Sequence, residues 1–190
     1  MNKIDVFILA GGQSKRFKED KTLFLLNGKS MIEYVVDAVS GFSKKIYVVS
    51  KDQKKYGFLK NVEVVIDLLD IQNPLNGLYT ACSYAHEPFL LAGADMPFIK
   101  KELIHFLIKS HKKEVTLFEI RGFLEPLLGI YSPVIKDRVK YCLENDISSF
   151  QKMFSMMDVH ILKEEDAKRF DDELLSFVNI NTKEDIAKFI

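Results

Sequence analysis

Two adjacent glycines and a set of spaced cations follow one short apolar run. Ile4 to Ala10 leads directly into Gly11-Gly12-Gln13-Ser14-Lys15-Arg16-Phe17-Lys18-Glu19-Asp20-Lys21. Glycine has no Cβ, so the main chain at Gly11 and Gly12 can adopt unusual dihedrals and bring its N–H groups close to a ligand. Lys15, Arg16 and Lys21 surround that bare backbone with positive charge. Glycines and cations at the carboxyl end of a first strand read as a polyphosphate site. The loop is not a P-loop, because no Gly-Lys-Ser/Thr closes it, and it lacks the Gly-x-Gly-x-x-Gly of dinucleotide folds. A tight surface turn with solvated lysines is the plainer alternative.

A second group lies at Gly93-Ala94-Asp95-Met96-Pro97, immediately after the apolar run Phe89–Ala92. A carboxylate at a buried strand's end, with Pro97 fixing the next turn, suits a hard, oxygen-ligated cation. Mg²⁺ needs only one or two carboxylates besides water and substrate phosphates, so Asp95 alone is chemically sufficient. Its alternative role is to cap a helix beginning near Lys100.

Both groups require a scaffold that brings strand ends together. Ile4–Ala10, Ile46–Val49, Val62–Ile66 and Phe89–Ala92 are continuous apolar runs, the pattern of strands covered on both faces. Met31–Val39, Leu78–Ala85 and Glu102–Ile108 carry helical spacing between them. This alternation predicts an α/β fold, a mostly parallel sheet with helices on both faces and right-handed crossovers. Further along, Val115–Ile120 and Pro126–Tyr131 read as strands around a turn at Gly122, and Ser132-Pro133 as the start of a helix. Val159–Leu162 and Ser176–Ile180 read as further strands. Thr182-Lys183-Glu184-Asp185 reads as a capping box, and Lys163–Glu173 as a solvated helix or loop. In such a sheet, functional residues gather beyond the carboxyl ends of the strands. The glycine loop, Asp67 with the turn Asn73-Pro74-Leu75-Asn76-Gly77, and Asp95 all fall there.

Composition narrows the function classes. A length of 190 residues fits a single domain, 1–190, with a substantial core. Lys plus Arg and Asp plus Glu number 27 each, so the basic surplus of a nucleic-acid binder is missing. No apolar run has membrane-spanning length, and Ile4–Ala10 is too short for a signal-peptide core, so cytoplasm is the expected location. Cys82 and Cys142 lie far apart within apolar helical patterns and read as buried thiols. His86, His105, His111 and His160 show no metal-ligand spacing.

Leu-Ala-Gly-Gly-x-Ser-x-Arg-Phe followed by Asp-Lys resembles the signature loop of nucleotidyltransferases that activate small molecules with nucleoside triphosphates. Together with Pro74-Leu75-Asn76-Gly77, Asp95-Met96-Pro97 and Asn179-Ile180-Asn181-Thr182, it is most similar to the molybdenum cofactor guanylyltransferases. The resemblance implies a single Rossmann-like domain that binds GTP with Mg²⁺. It also implies that GMP is passed to the terminal phosphate of molybdopterin or Mo-molybdopterin, with transient contact to molybdenum cofactor biosynthesis or acceptor proteins. By the same resemblance, the main chain of Leu9, Ala10 and Gly11 holds GTP, as do Lys21 and Asp67, and Gly77 belongs to the Gly-Pro-Leu-x-Gly turn. Arg16 faces the triphosphate, Asp95 holds the metal, and Asn181 faces the acceptor or the metal. Transfer of this type proceeds in line, with charge building on the departing pyrophosphate. It therefore requires positioned cations rather than a protein nucleophile. Lys15 and Lys18 carry no such match and read as solvated.

The chain departs from the family pattern at four places. Asn73 stands for the first glycine of the turn, Ser50 for an asparagine, and Ala94 for a frequent cysteine. Ser148-Ser149 stand where some relatives have paired arginines. Asparagine tolerates left-handed dihedrals, so the turn at Asn73 is expected to survive. Glu125-Pro126-Leu127 with Gly129 and Tyr131 resembles the acceptor-side strand, where His-Pro is common, and Lys152 or Arg121 could replace the missing basic pair. Three alternatives remain: cytidylyl transfer to a molybdopterin, nucleotidyl transfer to a sugar or polyol phosphate, and an inactive member that binds nucleotide or a partner. Cytidylyltransferases of the superfamily commonly have alanine at the position of Gly11, and two consecutive glycines leave room for a purine.

Overall fold

Val6, Phe7 and Ile8 are completely buried, and their side chains leave opposite faces of the first strand into two separate cores. That is why the run is apolar throughout rather than alternating. The computed structural model describes residues 3–11, 21–181 and 185. Gly12, Arg16, Lys15 and Lys18 lie outside the described residues, as do the first three positions of the expected cap at Thr182.

The chain runs from β1 (Ile4–Leu9) through a two-residue hairpin, β2 (Leu25–Leu26) and β3 (Lys29–Ser30), into α1 (Met31–Ser40). β4 (Ser43–Ser50), β5 (Glu63–Ile66), α2 (Asn76–Tyr84), β6 (Phe89–Gly93) and α3 (Lys101–Lys109) follow. The second half contains β7 (Val115–Ile120), β8 (Phe123–Tyr131), α4 (Lys136–Glu144), α5 (Phe150–Phe154), β9 (Val159–Leu162) and α6 (Glu164–Lys168). The seven-stranded sheet has the order β5-β4-β1-β6-β8-β7-β9. β4, β5 and β6 run parallel to β1, and β9 runs parallel to β7, whereas β8 runs antiparallel to both its neighbours. From β1 the chain moves outward to β4 and β5, then returns to β6 on the other side. The strand order therefore reverses at the carboxyl end of β1, where such sheets open a crevice.

Helices α1 and α3 cover one face, where Ile32, Val35, Leu103, Ile104 and Leu107 pack with Val6, Ile8, Val48 and Leu90. Helices α2, α4 and α5 cover the other, where Leu78, Ala81, Val139, Cys142 and Met153 pack with Phe7, Val49 and Leu91. Each fully buried aliphatic side chain contributes about 1.5–3 kcal/mol. Polar residues at the strand ends can thus be chosen for chemistry rather than for stability. Helix α1 is started by Glu33, whose carboxylate accepts the Ser30 N–H at 2.8 Å and hydroxyl at 2.6 Å.

The expected strand at Ser176–Ile180 does not form. Leu174 adopts a left-handed conformation (φ 57°), a 3₁₀ turn spans Leu175–Phe177, and Ile180 donates its N–H to the Asp95 carbonyl at 3.0 Å. The apolar, β-branched composition signals burial there, not pairing. Lys163–Glu173 is only partly solvated. Asp171 is fully buried, accepts the Ser176 N–H at 2.7 Å and pairs with Lys100 at 3.1 Å. The helix expected from Ser132-Pro133 opens as a 3₁₀ turn, Pro133–Ile135, before α4.

Candidate active site

The carboxyl ends of β1, β4, β5 and β6 surround a cavity of about 400 Å³, a volume in the usual range for small-molecule sites. Leu9, Ala10, Gly11, Lys21, Asp67, Gly77 and Asp95 all line it, so seven of the expected site residues converge on one space.

Lys21 and Asp95 form the centre of one wall. Lys21 Nζ donates to Asp95 Oδ2 at 2.6 Å and to Asn181 Oδ1 at 2.7 Å. Three distant parts of the chain thus meet around one ammonium. Asp95 does not cap α3, whose N-cap residue is Lys100, so the capping alternative fails. Its carboxylate sits beside Gly93, where an added Cβ would lie 2.8 Å from Asp95 Oδ1. Gly93, read from sequence as part of the Asp95 group but given no role, is the glycine that leaves room for this carboxylate.

Asp67 forms the opposite wall. Its Oδ1 accepts the Thr80 hydroxyl at 3.4 Å, and its Oδ2 lies 3.2 Å from where a Cβ on Gly11 would stand. Burial pushes this carboxyl up, and the Lys51 ammonium and the Thr80 hydroxyl counter that. Lys51, which sequence reading missed, lines the cavity and pairs with Asp70 at 3.5 Å. Ser50 faces inward, and its Oγ accepts the Asp52 N–H at 3.1 Å, a local turn contact.

The turn at Asn73 survives by a different route from the one expected. Asn73 is not among the residues with positive φ; instead its Oδ1 accepts the Leu75 N–H at 2.9 Å and its Nδ2 donates to the Ile147 carbonyl at 3.2 Å. Gly77 lets the turn press against Leu9, whose side chain would lie 3.0 Å from an added Cβ. Ala10 is tied into the sheet: its N–H donates to the Val49 carbonyl at 2.9 Å, and its carbonyl accepts the buried Tyr56 hydroxyl at 3.4 Å.

Leu127 and Phe150 line the cavity on the side of β8 and α5, whereas Lys152 and Arg121 do not. Ser149 caps α5 by accepting the Lys152 N–H at 3.4 Å. Glu125 is half-buried, which pushes its carboxyl up, and the buried Tyr131 donates to the Pro126 carbonyl at 2.7 Å. His111 and His160 serve local contacts with Thr116 and the Ser110 carbonyl. Cys82 and Cys142 are buried free thiols, and burial pushes Cys82 up to about 12. Among the described residues no group of three or more His, Cys, Asp or Glu side chains could hold a metal, and no helix is long and apolar enough to cross a membrane.

A sheet of this order, with glycines, Lys21, Asp67 and Asp95 gathered at its reversal point, is the arrangement of a nucleotidyltransferase. Residues 6–161 match the MobA-like NTP transferase domain, and the chain belongs to that family. It is 33% identical over 97% of its length to a probable molybdenum cofactor guanylyltransferase of Aquifex aeolicus, covering 89% of that protein. It is 31% identical to one of Flavobacterium johnsoniae, covering 98% of this chain and 96% of that protein. The crystal structure of molybdopterin-guanine dinucleotide biosynthesis protein A from Archaeoglobus fulgidus superposes with a TM-score of 0.84 at 27% identity, covering 97% of this chain and 96% of that one.

Proposed function

We propose that this chain, as one nucleotidyltransferase domain, transfers GMP from GTP to the terminal phosphate of molybdopterin or Mo-molybdopterin. The products are the guanine dinucleotide and pyrophosphate. The observation that carries this reading is the bridge from Lys21 to Asp95 and Asn181 at the cavity wall. Two oxygen donors, Asp95 Oδ2 and Asn181 Oδ1, already converge on a cation, and such a hard donor set fits Mg²⁺. Asp95 and Asn181 would hold the metal, which supplies positive charge to the triphosphate oxygens when bound. Lys21 then turns its ammonium to the phosphates, and Arg16 adds a second cation as charge collects on pyrophosphate. The glycines at 11 and 12 admit the nucleotide against the end of β1, and Asp67 orients it. No side chain attacks: the acceptor's own phosphate oxygen displaces pyrophosphate, so the protein's contribution is alignment and charge.

Purified protein with GTP, Mg²⁺ and molybdopterin is expected to yield a guanine dinucleotide, detected by chromatography, with one pyrophosphate per product. Turnover with CTP in preference to GTP would move the chain to the cytidylyl class. Pyrophosphate release only with a sugar phosphate would move it to the sugar-activating class.

Gly11→Ala tests the purine side. The new methyl stands 3.2 Å from Asp67 Oδ2, closer than ordinary van der Waals contact. The carboxylate must shift, and the floor beneath the base rises. GTP affinity measured by titration is expected to fall by about tenfold, corresponding to roughly 1.4 kcal/mol, with CTP affected less. An equal loss for both nucleotides would remove Gly11 from base selection.

A further inference from the structure

The cavity wall contains a buried hydrogen-bond acceptor with nothing to accept from. Asn76, the variable position of the Pro-Leu-x-Gly turn, is the first residue of α2, lines the cavity and is only 2% exposed. Its Nδ2 donates to the Leu69 carbonyl at 2.6 Å, which fixes the amide's orientation, and Oδ1 has no partner among the described residues. Among the described residues the side-chain oxygens Asn76 Oδ1 and Asn179 Oδ1 are buried with neither a hydrogen bond nor an ion pair, and of the two only Asn76 lines the cavity. An orphaned buried acceptor is destabilising, and natural folds rarely keep one without use.

Its neighbourhood suggests the use. Asn76 and Thr80 are four residues apart, on one face of α2. Thr80 reaches the Asp67 carboxylate and accepts the Leu68 N–H at 3.0 Å, and Asn76 reaches the Leu69 carbonyl. One helix face therefore holds the segment 67–69 and aligns two side-chain acceptors, Asp67 and Asn76, on the same wall. A wall with two acceptors calls for a ligand edge with two neighbouring donors. Guanine presents N1–H beside its 2-amino group. Adenine and cytosine offer one amino group next to an acceptor nitrogen, and uracil one N–H between two carbonyls.

Building on the guanylyl reading, we infer that Asn76 is a specificity-determining residue: its Oδ1 accepts from the 2-amino group of the bound guanine, beside Asp67, which accepts from the same edge. Inosine triphosphate, which keeps N1–H and lacks the 2-amino group, isolates this contact. The wild type is expected to bind GTP at least about tenfold more tightly than ITP, because ITP leaves the acceptor orphaned. Asn76→Ala is expected to weaken GTP about tenfold while changing ITP by less than about twofold, so that the two nucleotides bind alike. Equal weakening of both would overturn the assignment, as would an unchanged preference for GTP. Should the variant fail to fold, the wild type decides the matter alone: equal affinity for GTP and ITP refutes the contact, and a GTP preference of tenfold or more supports it. A wild type that does not prefer GTP over ATP, CTP and UTP would defeat the guanylyl reading and this inference together. A preference for GTP over those three with no discrimination against ITP defeats this inference alone.

Discussion

Asp95→Ala is expected to lower guanylyl transfer by about a thousandfold or more while the protein stays folded. The magnitude follows from the proposed mechanism, in which Asp95 would hold the metal and organise charge around the leaving group. Folding is spared because the carboxylate joins no apolar cluster, and the Ile180 N–H bonds to the main-chain carbonyl at 95, which alanine keeps. Turnover at saturating Mg²⁺ and the thermal midpoint are the two readouts. Near wild-type turnover would remove Asp95 from the chemistry. A midpoint that collapses along with activity would assign it to the fold instead.

Lys21→Ala is expected to weaken GTP binding by about tenfold to a hundredfold and to slow turnover further. On the proposed mechanism this ammonium would serve the triphosphate in the bound state; in the structure it holds Asp95 and Asn181 together. Lys140→Ala provides the contrast, because that cation lies on α4 and pairs with Glu144 at 3.6 Å. Titration with GTP over a range of salt separates the two effects. Similar losses in both variants, abolished by salt, would mean that diffuse attraction and not position is at work.

The strands that carry the site were legible because each is covered on both faces. Val6 to Ile8 and Phe89 to Ala92 are buried throughout, so their sequences have no polar interruptions and cannot be mistaken for surface elements. Their ends were legible for a related reason: glycine and aspartate are out of place beside such runs unless they serve the crevice. That these ends share one edge was legible too, but the pairing of particular side chains across them was not. Lys21 and Asn181 are 160 positions apart, and periodicity carries no information about which loops meet. The hairpin β2–β3 escaped because two-residue strands have no period; the available signal was the Asn27-Gly28 pair, both at positive φ in its turn. Ser176–Ile180 misled for the opposite reason. Val178 and Ile180 pack against Leu26 and Met31, so the segment is apolar because it is buried there and not because it pairs in a sheet. The role of Asn73 was misjudged because an asparagine replacing glycine suggests backbone freedom, whereas here the side chain does the work by closing the turn.

The small cluster of Leu26, Met31 and Ile180 is separate from both large cores. It is also what presses the segment leading to Asn181 onto the loop of Asp95, through the Ile180 amide. Structural units with few buried contacts open more readily than the sheets they rest on. Release of this seam would separate Asn181 from Lys21 and free the Asp95 carbonyl while every strand remained paired. On the proposed mechanism, competence for transfer and global foldedness are therefore different quantities: a molecule can keep its whole sheet while the wall of Lys21, Asp95 and Asn181 stands open.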